Sequence, residues 1–572
     1  METEGPWNPG LKSSIPARLM PKVTLYDPRN GIVGWTEARE LSAVTGLPPR
    51  LLATFRPERL ALHHVLIRVT GELHVPDGPN YADLGINLRD MAAAIYAGHV
   101  APAMDRIASG HTRLRQSAEI LLATELRGVV AAPAIPAPPV SPVAWLLNRK
   151  RPIPPPSPSG EERALDYVRR WSEVEADDLA THCRRALART LGAILSRRGA
   201  LLVEDRIVIR VATNLVSNSA GCDLVGALIA PLFDAGAGAL GYYRLPPQAE
   251  PLVLNAKGAS AAGKSTIRGK QRLIAERNGL DWRDFAIISP DYWRKHLIDY
   301  GGLGADYKYA AMLTGQELEI IDRKLDRLLA GNAARGRVPH LLVDRFRFDS
   351  FALDSKGSGA GKLFARYGAR VYLFLLLTAP SETVERAWMR GLSTGRYKAV
   401  DDLLYHNVEA YSGMPNLFFY WALRKRRSVH YEFLDNSVRG ASPRTIAFGR
   451  DRVLVIRDLQ AMCDIERFRH IDIDATEPSA LFSRDLSETE SLAFVRRCCA
   501  ILDRVDFVLP DGRTIYARAV QGRITVNPTL APSAFRAAAL GEVRVSSEPL
   551  GTLPPGFDAE TIGEGRWEAG AR

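Results

Sequence analysis

The stretch Gly258-Ala-Ser-Ala-Ala-Gly263-Lys264-Ser265-Thr266 fits the pattern G-x-x-x-x-G-K-[ST] at every fixed position. Such a stretch works as a phosphate-binding loop only if a strand leads into it and a helix leaves it, because loop amides and the helix end hold the phosphate. A short apolar run at 251–255 precedes the stretch, and residues 264–277 are free of proline and rich in helix formers. The sequence therefore predicts a strand, a phosphate-binding loop and a helix in that order.

The loop pattern assigns a role to its positions. Backbone amides would surround the phosphates, the Lys264 ammonium would reach the β- and γ-phosphates, and the Ser265 hydroxyl would bind Mg²⁺. ATP and Mg²⁺ are thus the predicted ligands. The predicted nucleotide-binding residues of the loop are Gly258, Ser260, Ala262, Gly263, Lys264, Ser265 and Thr266. The alternative is a glycine-rich turn that fits the pattern by chance.

Length and composition narrow the class of protein. A chain of 572 residues is too long for one hydrophobic core, so we expect about three or four domains. With 46% hydrophobic and 24% charged residues, the chain has the composition of a globular protein, which excludes a fibrous or wholly disordered one. The net charge of +11 is compatible with nucleotides or with nucleic acid as polyanionic partners, and it does not choose between them.

The sequence also carries expectations about location. The five cysteines include no C-x-x-C pair, which favours a reducing compartment, and no structural metal is expected. The first residues lack the basic and apolar regions of a signal peptide. The most membrane-like stretch, 224–243, contains Asp234 and several glycines, so we interpret it as a buried or irregular segment. We therefore expect a cytoplasmic protein without a membrane anchor.

The first half of the chain divides at a proline-rich run, 131–160, which predicts a semi-rigid linker. Before it, residues 1–130 contain helix-like stretches without recognisable chemistry. After it, residues 161–248 predict a small α+β module in which the β-branched run at 206–212 forms a strand.

The second half predicts an α/β fold. From 249 to 468, apolar strand candidates alternate with helical segments, which is typical of a doubly wound, mostly parallel sheet with helices on both faces. Residues 469–572 predict a small α+β region with a hairpin around Asp511-Gly512 and a loose tail.

Two acidic residues follow predicted strands and would therefore lie near the phosphate-binding loop at one edge of the sheet. Asp291 comes after the strand candidate 285–289, where its carboxylate would accept the proton of an attacking hydroxyl. Its alternative role is to cap the helix that begins at Tyr292. Asp344 comes after 340–343 and would bind Mg²⁺ or its waters, the alternative being a salt bridge at the strand end.

The most hydrophobic run of the chain, 370–377, predicts a central or near-central strand. An earlier stretch, 314–329, begins with a capping box at Thr314 and keeps one apolar face, which predicts a helix. Arginines that follow the hydrophobic strand would close over a triphosphate and neutralise charge during transfer, unless they only form a basic face in solvent. These arginines are Arg386, Arg390 and Arg396.

The order of these features resembles the zeta-toxin-like branch of phosphate-loop kinases over roughly residues 250–460. The shared features are the loop, an acid after the second strand, a long helix before a strand that ends in an acid, a basic lid, and the element Asp435-Asn436-Ser437 before a last strand. The resemblance implies ATP-dependent phosphorylation of a hydroxyl, with nucleotide contacts by Asp435 and Asn436. Toxins of this family are known for phosphorylating nucleotide-activated amino sugars.

The sequence thus predicts an ATP-dependent phosphotransferase whose acceptor is a hydroxyl of a small molecule such as a nucleotide sugar. The predicted catalytic residues are Lys264, Asp291, Arg386, Arg390 and Arg396, and the predicted metal-binding residues are Ser265 and Asp344. Two alternatives stay open. One is a polynucleotide kinase that acts on RNA or DNA ends, and the other is a switch or scaffold that ATP organises without catalysis.

Overall fold

The computed structural model of the chain describes residues 4–80, 82–130, 159–175, 178–345, 368, 370–424, 427–533 and 535–565. The chain forms two units, each with its own interior. The helical unit comprises Pro16–Val65 and Ala93–Leu240, and the sheet unit comprises Met1–Ile15, Leu66–Ala92 and Gly241–Arg572. The predicted linker at 131–160 lies outside the described residues except for its last two.

The helical unit is built around a buried cluster that includes Leu122, Leu187, Leu191 and Val208. The α-rich N-terminal region predicted from the sequence is confirmed. Its helices are α1 (Trp35–Thr45), α2 (Pro49–Leu52), α3 (Pro57–Glu72), α4 (Asp83–Ile95), α5 (Met104–Val130), α6 (Gly160–Trp171), α7 (Leu179–Arg198), α8 (Asp205–Val216) and α9 (Cys222–Ala239), of which α3 and α4 belong in part to each unit.

The strand predicted at 206–212 is wrong, since these residues lie in α8. Their β-branched side chains favour a strand locally. In the fold, Val208, Ala212 and Val216 recur at helical spacing and are buried in the cluster that also contains Leu187. The packing of this helical face outweighs strand propensity, so the described residues of the predicted α+β module form helices and connecting segments instead.

Among the residues that the structure describes, one helical stretch, 205–239, is long and apolar enough to cross a membrane, with a mean hydropathy of 1.4 in its most apolar window. It joins α8 and α9 through a π-helical turn at Ser217–Gly221. Inside the protein, 39% of that window is buried. Because a core helix of a water-soluble protein passes the same test, this stretch alone does not establish a membrane span. The absence of a membrane anchor stays a prediction.

A mixed, mostly parallel sheet of 11 strands runs through the sheet unit, which confirms the α/β class. The strands are β1 (Leu252–Lys257), β2 (Phe285–Ile288), β3 (His340–Val343), β4 (Arg370–Leu377), β5 (Ser428–Asp435), β6 (Arg444–Arg450), β7 (Val453–Ile456), β8 (Arg504–Val508), β9 (Ile515–Val520), β10 (Arg523–Val526) and β11 (Glu542–Val545). Their order across the sheet is β11-β10-β9-β8-β7-β6-β5-β4-β1-β3-β2.

Helices connect these strands. They are α10 (Arg268–Arg277), α11 (Arg294–Leu297), α12 (Ala310–Leu313), α13 (Gly315–Ala334), α14 (Pro380–Thr394), α15 (Val400–Ala422), α16 (Leu459–Phe468), α17 (Glu488–Ser491), α18 (Ala493–Ile501) and α19 (Ala537–Leu540). Short 3₁₀ turns at Lys264–Ile267 and Pro290–Trp293 follow β1 and β2.

The predicted capping box at Thr314 is wrong, because the Thr314 hydroxyl donates to the carbonyls of Ala310 and Ala311 and does not cap α13.

The five strands β5, β4, β1, β3 and β2 are mutually parallel. The prediction that 370–377 forms a near-central strand is confirmed, because β4 lies between β1 and β5. From β1, the chain builds first towards β3 and β2 on one side and then towards β4 and β5 on the other. In open α/β sheets such a reversal creates a crevice at the carboxyl ends of the strands, and the 258–266 loop leaves β1 at that point.

The hairpin predicted around Asp511-Gly512 is confirmed as β8 and β9, and Gly512 adopts a φ of +74° in the turn. These strands continue the same sheet, since β7 pairs with β8 in parallel.

One buried histidine in the parallel block makes stability depend on pH. His340, only 2% exposed, accepts a hydrogen bond at Nδ1 from the Leu252 amide at 2.9 Å, and its ring lies 4.9 Å from that of Phe285. Burial, opposed by Asp284 and helped by Arg370, lowers the pKa of His340 to about 4. The unfolded chain binds a proton here at the ordinary pKa, so the stabilising contribution is complete above that value and is lost as the pH falls towards 4.

We expect this group to account for a loss of about 2 kcal/mol in the free energy of unfolding of the sheet unit between about pH 7.5 and pH 5. His340→Leu removes the acceptor of the Leu252 amide, so it should be less stable near neutral pH. Its stability should nevertheless fall by about 2 kcal/mol less over the same pH range. Urea unfolding at both pH values measures the difference. The same pH dependence in both proteins would contradict the assignment.

Candidate functional site

The loop after β1 has the backbone of an anion-binding nest. Ala261 and Gly263 both adopt left-handed conformations, with φ of 63° and 89°. A turn closes with the Ala262 amide donating to the Ala259 carbonyl at 3.2 Å. The Thr266 amide donates to the Gly263 carbonyl at 3.0 Å. Four other loop amides make no hydrogen bond within the described part of the chain, which suits them to hold anionic oxygens. They belong to Ser260, Ala261, Gly263 and Ser265.

Residues that follow the neighbouring strands β4 and β5 hold this loop in place by hydrogen bonds. The Ala262 carbonyl accepts hydrogen bonds from the Asn436 side-chain amide at 2.8 Å and from the Thr378 hydroxyl at 3.1 Å. Gly258 approaches β4 so closely that a Cβ would lie 2.9 Å from the Leu376 carbonyl oxygen. The glycine of the pattern is therefore required by the packing of the loop against β4.

Lys264 begins the 3₁₀ turn at the end of the loop. Its ammonium donates to the carbonyl oxygens of Gly258 and Ala259, at 3.2 and 2.9 Å. Burial lowers the pKa of Lys264, and Arg390 and Arg396 lower it further, while Asp344 and Asp291 oppose the shift. The ammonium thus lies within a mixed field of two carboxylates and two guanidinium groups.

Asp291 lies in the 3₁₀ turn Pro290–Trp293 after β2, with its side chain 42% exposed. The helix-capping alternative is not observed, because Ser289 occupies the position before the turn. Arg294 donates to Oδ1 at 3.0 Å and Arg396 donates to Oδ2. Partial burial raises the pKa of Asp291, but Arg396, Arg294 and Arg390 lower it by more, so the carboxylate stays ionised well below neutral pH.

Asp344 follows β3, and its backbone amide donates to the Ile288 carbonyl at 2.9 Å. Its Oδ2 accepts a long hydrogen bond from the Ser289 hydroxyl at 3.4 Å and lies 4.0 Å from Arg268. The Ser265 hydroxyl makes no hydrogen bond within the described residues. No group of three or more His, Cys, Asp or Glu side chains arranged to hold a metal occurs in the described ranges. A hydroxyl and one carboxylate fit Mg²⁺ that takes its other ligands from phosphates and water.

The structure brings several predicted residues into one electrostatic cluster. The charges of Asp291, Asp344, Arg390 and Arg396 all act on Lys264, although these residues come from segments that follow three different strands. They meet because each segment follows the carboxyl end of a strand in the parallel block.

Other predicted residues have mainly bracing contacts. The Arg386 guanidinium donates to Glu382 at 2.9 Å and to the Asn436 carbonyl at 2.7 Å. Asp435 accepts a hydrogen bond from the Ser437 amide and lies 3.4 Å from Arg444. The Thr266 hydroxyl donates to the Gly263 carbonyl at 2.6 Å. Whether Arg386, Asp435 and Thr266 also contact a nucleotide stays a prediction.

Five further residues were missed by the sequence reasoning: Arg268, Arg294, Lys398, Asp402 and His406. Arg294 and Asp291 are three residues apart, a spacing that signals a local ion pair. Arg268 lies one helical turn after Lys264 and is only 8% exposed, with Nε and one terminal nitrogen making no hydrogen bond within the described residues. Asp402 and His406 are four residues apart on α15. Spacing could have suggested these pairs, but not their proximity to the loop.

Comparisons with protein-family models, with curated proteins and with solved structures find no match for this chain. The resemblance to zeta-toxin-like kinases therefore stays a prediction that depends on the quoted residues.

Proposed function

We propose that the sheet unit is a doubly wound phosphate-loop kinase that transfers the γ-phosphoryl group of ATP to a hydroxyl of a small molecule such as a nucleotide sugar. One observation carries the proposal. A loop with unbonded amides leaves β1 where the strand order reverses, and the Lys264 that ends it shares an electrostatic field with two acids and two arginines from other segments.

The role proposed for each residue follows from its contacts. The loop amides and Lys264 bind the phosphates, since both are positive and already oriented. Ser265 and Asp344 would hold Mg²⁺, which neutralises charge on the phosphates when bound. Arg390 and Arg396 stabilise negative charge that develops during transfer, because a guanidinium matches two phosphoryl oxygens at once.

Asp291 is proposed to orient the acceptor hydroxyl and to accept its proton. Its two arginine partners keep it ionised, and they also make it a weak base. Phosphoryl transfer through a loose transition state requires little proton abstraction before the bond to the leaving group breaks. Positioning therefore matters more than basicity here, and the contribution of Asp291 should lie at the low end of general-base effects.

Asp291→Asn is expected to lower phosphoryl transfer by about a hundredfold while Mg-ATP binding changes by less than about threefold. The amide keeps the shape but loses the charge and the proton-accepting capacity. The measurement uses labelled ATP and a metabolite extract, with mass spectrometry of the products formed by the wild type and the variant.

Asp281→Asn is a matched control, because Asp281 is 43% exposed, is paired with Arg283 at 2.7 Å, and precedes the opposite end of β2. It should behave as the wild type. Identical product profiles from the wild type and Asp291→Asn would remove the kinase proposal. An ATP-dependent change in partner binding that survives Asp291→Asn without any product would instead favour a switch.

A further inference from the structure

Two cations project from the segment that joins α14 to α15. Residues 396–399 alternate between half-buried and buried, and Tyr397 is the buried anchor, with its ring centroid 5.5 Å from that of Trp388. Side chains of an extended segment alternate between its two sides. Arg396 and Lys398 therefore share the side opposite the anchor, and Arg396 uses that position to contact Asp291.

Lys398 is held in a triangle of polar groups. Its ammonium lies 3.3 Å from Asp402 Oδ2 and contacts His406 Nδ1, while His406 Nε2 lies 3.6 Å from Asp402 Oδ1. The Lys398 side chain is 16% exposed, so it is partly open to solvent. Burial and the charge of Lys398, opposed by Asp402, together lower the pKa of His406 to about 4, so the imidazole is neutral and accepts from the ammonium near neutral pH.

This triangle borders the proposed active site. The charge of Lys398 interacts with Asp291 and with Arg390, and His406 interacts with both Lys264 and Asp291. The proposed reaction already gives roles to Lys264, Asp291 and Arg390. It gives none to Lys398. Lys398 lies two residues after Arg396 on the same side of the segment, and Arg396 contacts Asp291, so the ammonium lies on the side of the segment that faces the proposed phosphoryl site.

We infer that Lys398 is a further phosphate-binding residue whose ammonium, positioned by Asp402 and His406, contacts the terminal phosphate of a nucleoside triphosphate held by the loop. The inference rests on the proposed function and adds to it a residue outside the loop and the lid arginines. It distinguishes a triphosphate from a diphosphate, because a diphosphate offers no oxygen at that position.

Calorimetry with Mg-ATP and Mg-ADP on the full-length chain tests the inference. Lys398→Met should weaken ATP binding by about tenfold and leave ADP binding within about twofold of the wild type. Lys264→Met should weaken both nucleotides, and Lys270→Met is the control, because Lys270 contacts Glu564 at 3.6 Å and is expected to leave both unchanged.

The pH dependence gives a second readout. Burial, opposed by Asp402 and Asp291 and helped by Arg390, lowers the pKa of Lys398 to about 8. Since the protonated ammonium binds phosphate, ATP affinity of the wild type should decline as the pH rises through about 8. His406 stays neutral over this range, and Lys264 contributes equally to both proteins compared. Lys398→Arg should retain affinity and lose that part of the decline, because an arginine stays charged.

The outcomes separate the two claims. ATP binding by the wild type with equal loss for both nucleotides, or no loss, in Lys398→Met would overturn the role of Lys398 and leave the proposed function intact. A wild type that binds no Mg-ATP would overturn both. An unchanged alkaline decline in Lys398→Arg would also count against Lys398.

Discussion

Lys264→Ala is expected to lower phosphoryl transfer by about a thousandfold. The Lys264 ammonium donates to two carbonyls of the loop, and the proposed phosphate site lies among the amides of the same loop. Arg396 does not replace it, because its guanidinium is paired with Asp291. Product formation from labelled ATP measures the effect.

The free energy of unfolding of Lys264→Ala shows whether its loss of phosphoryl transfer comes from the site alone and not from a less stable fold. Burial disfavours the charge of Lys264, so removing it should change the free energy of unfolding by less than about 1 kcal/mol. Lys270→Ala removes a partly exposed ammonium of α10 that lies 3.6 Å from Glu564, and this variant should match the wild type in both transfer and stability. A Lys264→Ala protein that keeps more than about a tenth of the wild-type transfer would contradict the role given to this lysine.

Gly263→Val is expected to abolish detectable Mg-ATP binding and to lower the free energy of unfolding by about 2 to 3 kcal/mol. Gly263 has a φ of +89°, which a β-branched residue adopts only with strain. A Cβ there would also clash with the Asn436 amide nitrogen, which holds the loop through the Ala262 carbonyl. The substitution therefore disrupts both the backbone conformation of the loop and the Asn436 hydrogen bond that holds the loop in place. Thermal unfolding with and without Mg-ATP reports both effects.

Gly269→Ala is the matched control for the glycine variant. It lies six residues further on in α10, and a Cβ there would meet no atom within 4 Å. Alanine stabilises a helix relative to glycine, so this variant should be more stable by about 0.5 to 1 kcal/mol and should bind Mg-ATP normally. If Gly263→Val binds Mg-ATP as tightly as Gly269→Ala, the loop does not form the nucleotide site.

The parallel block was predictable because its strands are short apolar runs whose ends carry polar residues. β1, β2, β3 and β4 all lie within one or two residues of their predicted bounds. The same reasoning failed at 206–212, where the β-branched run is helical because one face packs into the helical unit. The strand propensity of a short run cannot show which of its side chains will be buried by helices distant in sequence.

The candidate site was predictable only where spacing along the chain carries chemistry. The loop pattern located Gly258 to Thr266, and strand ends located Asp291 and Asp344. The double pairing of Asp291 with Arg294 and Arg396 depends on a contact across 105 positions of sequence, which no local pattern contains. The bracing role of Arg386 likewise depends on the carbonyl of Asn436, 50 positions away.

Isothermal titration calorimetry with Mg-ATP tests most directly whether the loop after β1 binds a nucleotide. The account predicts saturable heat at one site in the wild-type protein and none in Lys264→Ala over the same concentrations. Absence of heat with the wild type, or equal heat from both proteins, would contradict it.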